Sequence, residues 1–282
     1  MKLATYKDGS RDGQLVVVSS DLATAHHASA IASRLQQVLD DWAFLAPQLQ
    51  DLSRTLDEGK ARHAFPFEPR MCMAPLPRAH RAVEALHGAA SGDDDGDTIA
   101  WQALSGDGLL GPHDDVALCG FGGEAQVAPR WIVLSGEVPL GAAPEQALDG
   151  VRLVGAGLQW LQPQDAAGAR PWLSLAPVVV TPDELPAGRG ASRGRVALTL
   201  EPQGLDAAAA PDGGEPVISP PLGPLMARLA RARVIRAGTL LALGPRARAI
   251  GPAARVALTP QAARGQTPLG TIDAGLRRLG GG

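Results

Sequence analysis

The chain has 282 residues, and 45% hydrophobic side chains are enough to bury a sizeable core in one large or two ordinary domains. With 26 basic against 29 acidic side chains and a net charge of −3, no global field draws it to nucleic acid or to an anionic membrane, so those partners are excluded first. Two cysteines, Cys72 and Cys119, make neither a disulfide framework nor a zinc site, and no apolar signal segment or membrane span is present, so a reducing, cytoplasmic setting is expected.

In chain order, "KLATY" and "QLVVVSS" are strand-like runs joined by "KDGSRDG", which predicts an opening hairpin. From Asp21 as N-cap, the pattern through "SRLQQVLDDWAFLAPQLQDLSRTLDEG" predicts a pair of helices interrupted at Pro47 and closed at Gly59. The proline-rich and aromatic segment "RHAFPFEPRMCMAPLPRAH" marks a boundary. It separates an N-terminal domain of hairpin and helices, residues 1–72, from a β-rich domain, residues 73–282. In the second part "WIVLS", "VRLVGAGLQWL", "WLSLAPVVVT", "RVALTLE" and "TLLALG" read as short strands bounded by Gly, Pro or Asp, which gives an α+β chain with a curled β domain. "PPLGPLMARLARARVIRAG" reads as an amphipathic helix with Leu222, Leu225, Leu229 and Val234 along one face, while "DAAAAPDGGEP" and "GPRARAIGPAARVALTPQAARG" read as loops.

Few residues offer chemistry. If "RAHRAVEALHGAA" is helical, His80, Glu84 and His87 share a face and could bind a metal or act as a base, although a solvated helical face accounts for them equally. "GDDDGD" lacks the glycine position and the bidentate Glu of a calcium loop and reads as a solvated turn. "FGGEAQ" has two glycines of a nucleotide-binding loop without the third, and no nucleophile elbow or phosphate-binding loop is present. The only lysines are Lys2, Lys7 and Lys60, so no lysine chemistry is available beyond residue 60. In "APRWIVLSGEVPLG" an arginine, Arg130, opens a run that otherwise suits a sheet interior, and it must face water or find an anionic or carbonyl partner.

The blocks "MKLATYKDGSRDGQLVVVSSDLATAHHA", "RLQQVLDDWAFLAPQLQDL", "MAPLPRA", "LLGPHDDV", "SGEVPLGAAPEQALDGVRL" and "APVVVTPDEL" resemble the fumarylacetoacetate hydrolase family, in a bacterial subgroup with a small N-terminal domain. The resemblance covers most of the chain except roughly residues 80–100, 202–217 and 244–264. It implies a homodimer with a mixed β-roll domain, a divalent cation held by carboxylates, and hydrolysis or related chemistry on β-diketo or enol acids.

Carried over residue by residue, the implied metal site is degenerate. Counting from "GPHDDV" to "SGEV" puts Ala128 and Arg130 where the family has a Glu-x-Glu pair, and a shifted alignment would put Glu124 and Gln126 there. The third implied ligand, an Asp, falls at Gln159, the family lysine at Arg170, and the Gly-Thr at Gly244-Pro245. The catalytic histidine falls at His87, with His80 in place of the Asp seven residues earlier. No metal and no other cofactor is therefore expected. Two readings follow. In one, Arg130 and Arg170 clamp an acidic or enolisable metabolite, with Gln159 and Glu124 also contacting it, and His87 moves a proton without a metal. In the other, the chain is a catalytically dead relative that binds a small molecule or a partner protein. If the arginines do share the former metal pocket, an anion, water or an acidic side chain must offset their charge.

Overall fold

The computed structural model describes residues 1–87, 99–119, 125–161, 171–185, 198, 200–204, 219, 221–244, 247–250, 255–262 and 266–279. Strands β1 (Lys2–Tyr6) and β2 (Gln14–Val18) form the expected antiparallel hairpin, with Lys2 opposite Val18 and Tyr6 opposite Gln14. The helix expected from Asp21 does not begin there. Asp21 accepts from the Ser19 hydroxyl and the Ala23 amide, closing a turn instead of capping a helix, and β3 (Thr24–His27) pairs back on β2. Helices α1 (Leu35–Asp40) and α2 (Trp42–Asp57) follow, and their break falls at Asp41 and not at Pro47. Pro47 is tolerated inside α2 because the amide it lacks would have served the carbonyl of Ala43, an exposed residue of the first turn that water can reach. Gly59 ends the helix as expected. At φ +68° its amide bonds the Leu56 carbonyl while the Lys60 amide bonds that of Thr55.

After β4 (Phe65–Pro66) the chain runs through β5 (Arg81–His87), β6 (Ile99–Ala103), β7 (Leu109–Leu110), β8 (Val116–Cys119) and β9 (Gln126–Ser135). Next come α3 (Pro144–Leu148), β10 (Val151–Leu161), β11 (Trp172–Leu175), β12 (Val178–Val180), β13 (Pro202–Gln203) and α4 (Leu222–Ala232). The last described strands are β14 (Thr239–Leu243), β15 (Arg248–Ala249), β16 (Arg255–Leu258) and β17 (Ile272–Leu279). One mixed sheet runs β4-β3-β2-β1-β12-β10-β9-β14-β5-β6, with β7, β11 and β15 attached, and a second sheet runs β13-β16-β17-β8. Because β1 pairs with β12, the N-terminal segment and the β-rich part share one sheet.

Three sequence expectations change here. The "RAVEALH" run is β5, paired in parallel with β14, so the helical face proposed for His80, Glu84 and His87 does not exist. Its residues suit a helix as well as a strand, and pairing with β14 on one edge and β6 on the other decides for the strand. Two pieces of the expected loop over 244–265 are strands β15 and β16. The amphipathic helix ends at Ala232, so Val234 lies beyond it. The segments "GDDDGD" and "DAAAAPDGGEP", most of "RVALTLE" and the glycines of "FGGEAQ" lie outside the described residues.

The large sheet separates two apolar clusters. Val127, Trp131 and Val133 of β9 pack with α4 residues Leu222, Leu225, Met226 and Leu229 on one face. On the other, Ile132 and Leu134 join Leu3, Leu15 and the α1 and α2 residues Leu35, Leu39, Leu49 and Leu56. This alternation is the strand period of two acting on both faces of a buried sheet. No helix among the described residues is long and apolar enough to cross a membrane.

Candidate functional site

Pro129 lies inside a strand flanked on both sides, a place that normally excludes proline. On one side of β9, β14 stops opposite Trp131 and β15 starts opposite Val127, so Pro129 faces the interval between them, where no ladder bond is lost. Gly244 occupies that interval. A Cβ there would stand 2.3 Å from the Pro129 carbonyl oxygen and 3.1 Å from Nη1 of Arg130, so only glycine leaves room for the guanidinium to pass.

Arg130 projects on the same face as Ile132 and Leu134, and Glu84 of β5 and Gln159 of β10 reach the same point. Glu84 stands beside Ala242 of β14, which in turn stands beside Ile132, so the small Ala242 lets the carboxylate reach across the intervening strand. Nη2 of Arg130 donates to Oε1 of Glu84 at 2.6 Å, and its Nε donates to Oε1 of Gln159 at 2.8 Å. Nε2 of Gln159 donates to the remaining oxygen of Glu84 at 2.8 Å, closing a ring of three side chains. Nη1 reaches the Pro129 carbonyl at 3.3 Å. Relative exposures of 3% for Glu84, 5% for Arg130 and 0% for Gln159 put the whole ring out of water. Burial pulls the Arg130 pKa down and the Glu84 charge opposes it, but arginine stays protonated.

This arrangement fixes what the centre can do. Ala128, buried beside Gln159 in the β9–β10 register, has no donor atom. Arg130 brings positive charge, and Gln159 has both ends of its amide engaged. Among the described residues Glu84 is the one carboxylate there, with both oxygens already taken. Such a donor set does not fit a divalent cation, which takes several carboxylate or imidazole ligands. Among the described residues no group of three or more His, Cys, Asp and Glu side chains could hold a metal ion.

Of the residues singled out from the sequence, Arg130, Gln159 and Glu84 are brought together. His87 is the last residue of β5, opposite Ile99, and His80 precedes that strand with its amide on the Gly238 carbonyl at 3.2 Å. Glu124, Arg170 and Pro245 lie outside the described residues. The acidic partner of Arg130 is Glu84, which the sequence reading grouped with histidines. The available signal was a single carboxylate inside the apolar run "AVEAL", which at strand period must enter a core and therefore needs a cation.

Residues 1–78 match the family model described as fumarylacetoacetase N-terminal domain 2. Comparison with curated proteins gives no match. The fold is similar to that of the maleylpyruvate hydrolase of Sphingobium sp. SYK-6, at 14% identity and a TM-score of 0.71 over 100% of both chains. The same hydrolase in complex with manganese(II) ion and pyruvate aligns at 16% identity and a TM-score of 0.70 over 100% of both chains. The 5-carboxymethyl-2-hydroxymuconate delta-isomerase of Mycobacterium smegmatis aligns at 14% identity and a TM-score of 0.61, again over 100% of both chains.

Proposed function

We propose, for a chain whose residues 1–78 match the fumarylacetoacetase N-terminal domain 2 model and whose fold is similar to that of a maleylpyruvate hydrolase, a non-catalytic role as a binding scaffold for a small molecule or a partner protein. The observation that carries this reading is the closed ring of Glu84, Arg130 and Gln159. Two of its members, Arg130 and Gln159, stand at positions where the family resemblance implies carboxylate ligands, and the three side chains engage one another. Arg130 holds a neighbouring carboxylate through charge-assisted bonds out of water, so a substrate carboxylate would have to displace Glu84 and leave it buried without its cation. Gln159 has no titrating group and Arg130 does not release its proton, so neither can move a proton at neutral pH.

The competing reading is metal-free turnover of an enolisable acid, with Arg130 and Arg170 as clamps and His87 as the proton carrier. One experiment separates the two. The purified protein is stripped with chelator and assayed with maleylpyruvate and with 5-carboxymethyl-2-hydroxymuconate, with and without added Mn(II), while calorimetry follows Mn(II) binding. We expect turnover no faster than buffer and no saturable heat. Metal-dependent turnover or a saturable Mn(II) site would overturn the proposal. Metal-free turnover that Arg130→Met abolishes would establish the competing reading.

A further inference from the structure

A second cluster lies at the opposite end of β10. Between Val151, opposite Ser135, and Leu153, opposite Leu134, the register shifts, and Arg152 is the extra residue of a β-bulge. Such a bulge turns a side chain away from its regular direction. The Arg152 stem lies against Gly136, where a Cβ would stand 2.7 Å from Nε, and its guanidinium carbon sits 5.5 Å from the centre of the Trp42 ring. The bulge in the β9–β10 pair, a glycine and a tryptophan thus hold one cation in place.

That cation borders a cavity of about 980 Å³ lined by the start of α2, by α1 and by the turn after β9. Of the four carboxylates in its wall, Asp41 is exposed to water and the other three have partners of their own. Asp12 accepts from Arg78, Asp40 from Gln36, and Glu137 lies 3.6 Å from Arg236. Arg152 feels the charge of Asp149 but makes no hydrogen bond among the described residues, and its Nε is buried without a partner. The Oε1 of Gln36, in the same wall, is likewise buried without a donor. An unmet donor and an unmet acceptor beside one cavity are costly unless a ligand or its hydration meets them. Arg236, mostly exposed and only loosely paired, supplies a second cation at the rim.

We propose that this cavity binds the carboxylate or phosphate group of a small molecule, with Arg152 as the planar fork that receives the oxyanion and Trp42 as the platform that fixes the fork. Guanidinium offers two parallel N–H donors that match either group. The site is independent of the ring around Arg130. Gln159 and Arg152 are seven residues apart on β10, roughly 23 Å at about 3.3 Å per residue.

The test follows the indole N–H resonance of Trp42, assigned by its loss in Trp42→Phe, during titration with inorganic phosphate and with succinate at constant ionic strength. Saturable shifts with at least one probe are expected. Arg152→Gln should weaken them at least about tenfold, or about 1.4 kcal/mol. Arg152→Lys keeps the charge and loses the fork, and Gly136→Ala displaces the fork without touching its charge, so both should also weaken binding. Response to phosphate alone identifies a phosphate ester as the ligand class, and response to succinate alone a carboxylate. If Arg152→Gln does not fold, the other two variants decide. Absence of saturable binding by either probe, or affinities unchanged in the variants, would overturn the site.

Discussion

At the scale of single residues, the energetics of the buried ring are asymmetric. Removing one member strands a charge in the sheet, whereas replacing all three by apolar groups removes the desolvation cost altogether. Glu84→Ala is therefore expected to lower stability by about 3–5 kcal/mol. At roughly 2–4 °C per kcal/mol for a chain of this size, that is a large loss in melting temperature by calorimetry. Glu84→Leu with Arg130→Met and Gln159→Leu should melt near the parent or above it. A Glu84→Ala protein as stable as the parent would show that the ring is not structural. Burial acts differently on Cys72 and Tyr6, pushing both pKa values up to about 12, against only a weak opposing charge from Lys7 at the thiol. Both groups are neutral when folded and ionise first in the unfolded chain. Their contribution is complete below about pH 9 and is lost as pH rises toward 12. In a Cys119→Ser background, Cys72 should resist Ellman's reagent at pH 8 until the protein is unfolded. Rapid labelling of the native protein would contradict its burial.

Among elements, β9 shows how two awkward residues support one another. Pro129 needs an interval in the neighbouring ladder, Gly244 supplies it, and Arg130 uses the space. Gly244→Ala would press a methyl group into the Pro129 carbonyl and Arg130, so a loss of about 1–3 kcal/mol in urea unfolding is expected. An unchanged midpoint would mean that the end of β14 can shift without cost. The hairpin, β9, β10, β14, α4 and the Gly59 stop were legible because their signals are local: apolar runs, turn residues and a glycine C-cap. The strand β3 was not, because "ATAHHASA" carries no strong period and its state is decided by the free edge of β2. Nor was β5, whose "RAVEALH" fits a helix as well as a strand until β14 arrives from about 160 residues away in the chain to pair with it.

At the scale of the whole molecule, the resemblance to the family implies a dimer, and we propose that the protein is a homodimer built through its β-rich part. Light scattering should give twice the 29.1 kDa of the chain, independent of concentration over the micromolar range. A concentration-independent monomer would reject it. What the sequence determined by itself was the α+β class, the opening hairpin and the resemblance of its N-terminal part to the fumarylacetoacetase N-terminal domain, since these depend on residue identity and local order. What only the tertiary structure decided was the partner of Arg130 and the exposure of that pair. Glu84 is 46 residues away in sequence, and Gln159 lies 29 away on the other side. Their meeting depends on a parallel β5–β14 pairing and on the small side chain of Ala242 in β14, and such long-range pairing leaves no periodic mark on any one segment. The same holds for Arg152, which reads as an ordinary strand arginine until a bulge, a glycine and a tryptophan from three separate elements give it a direction.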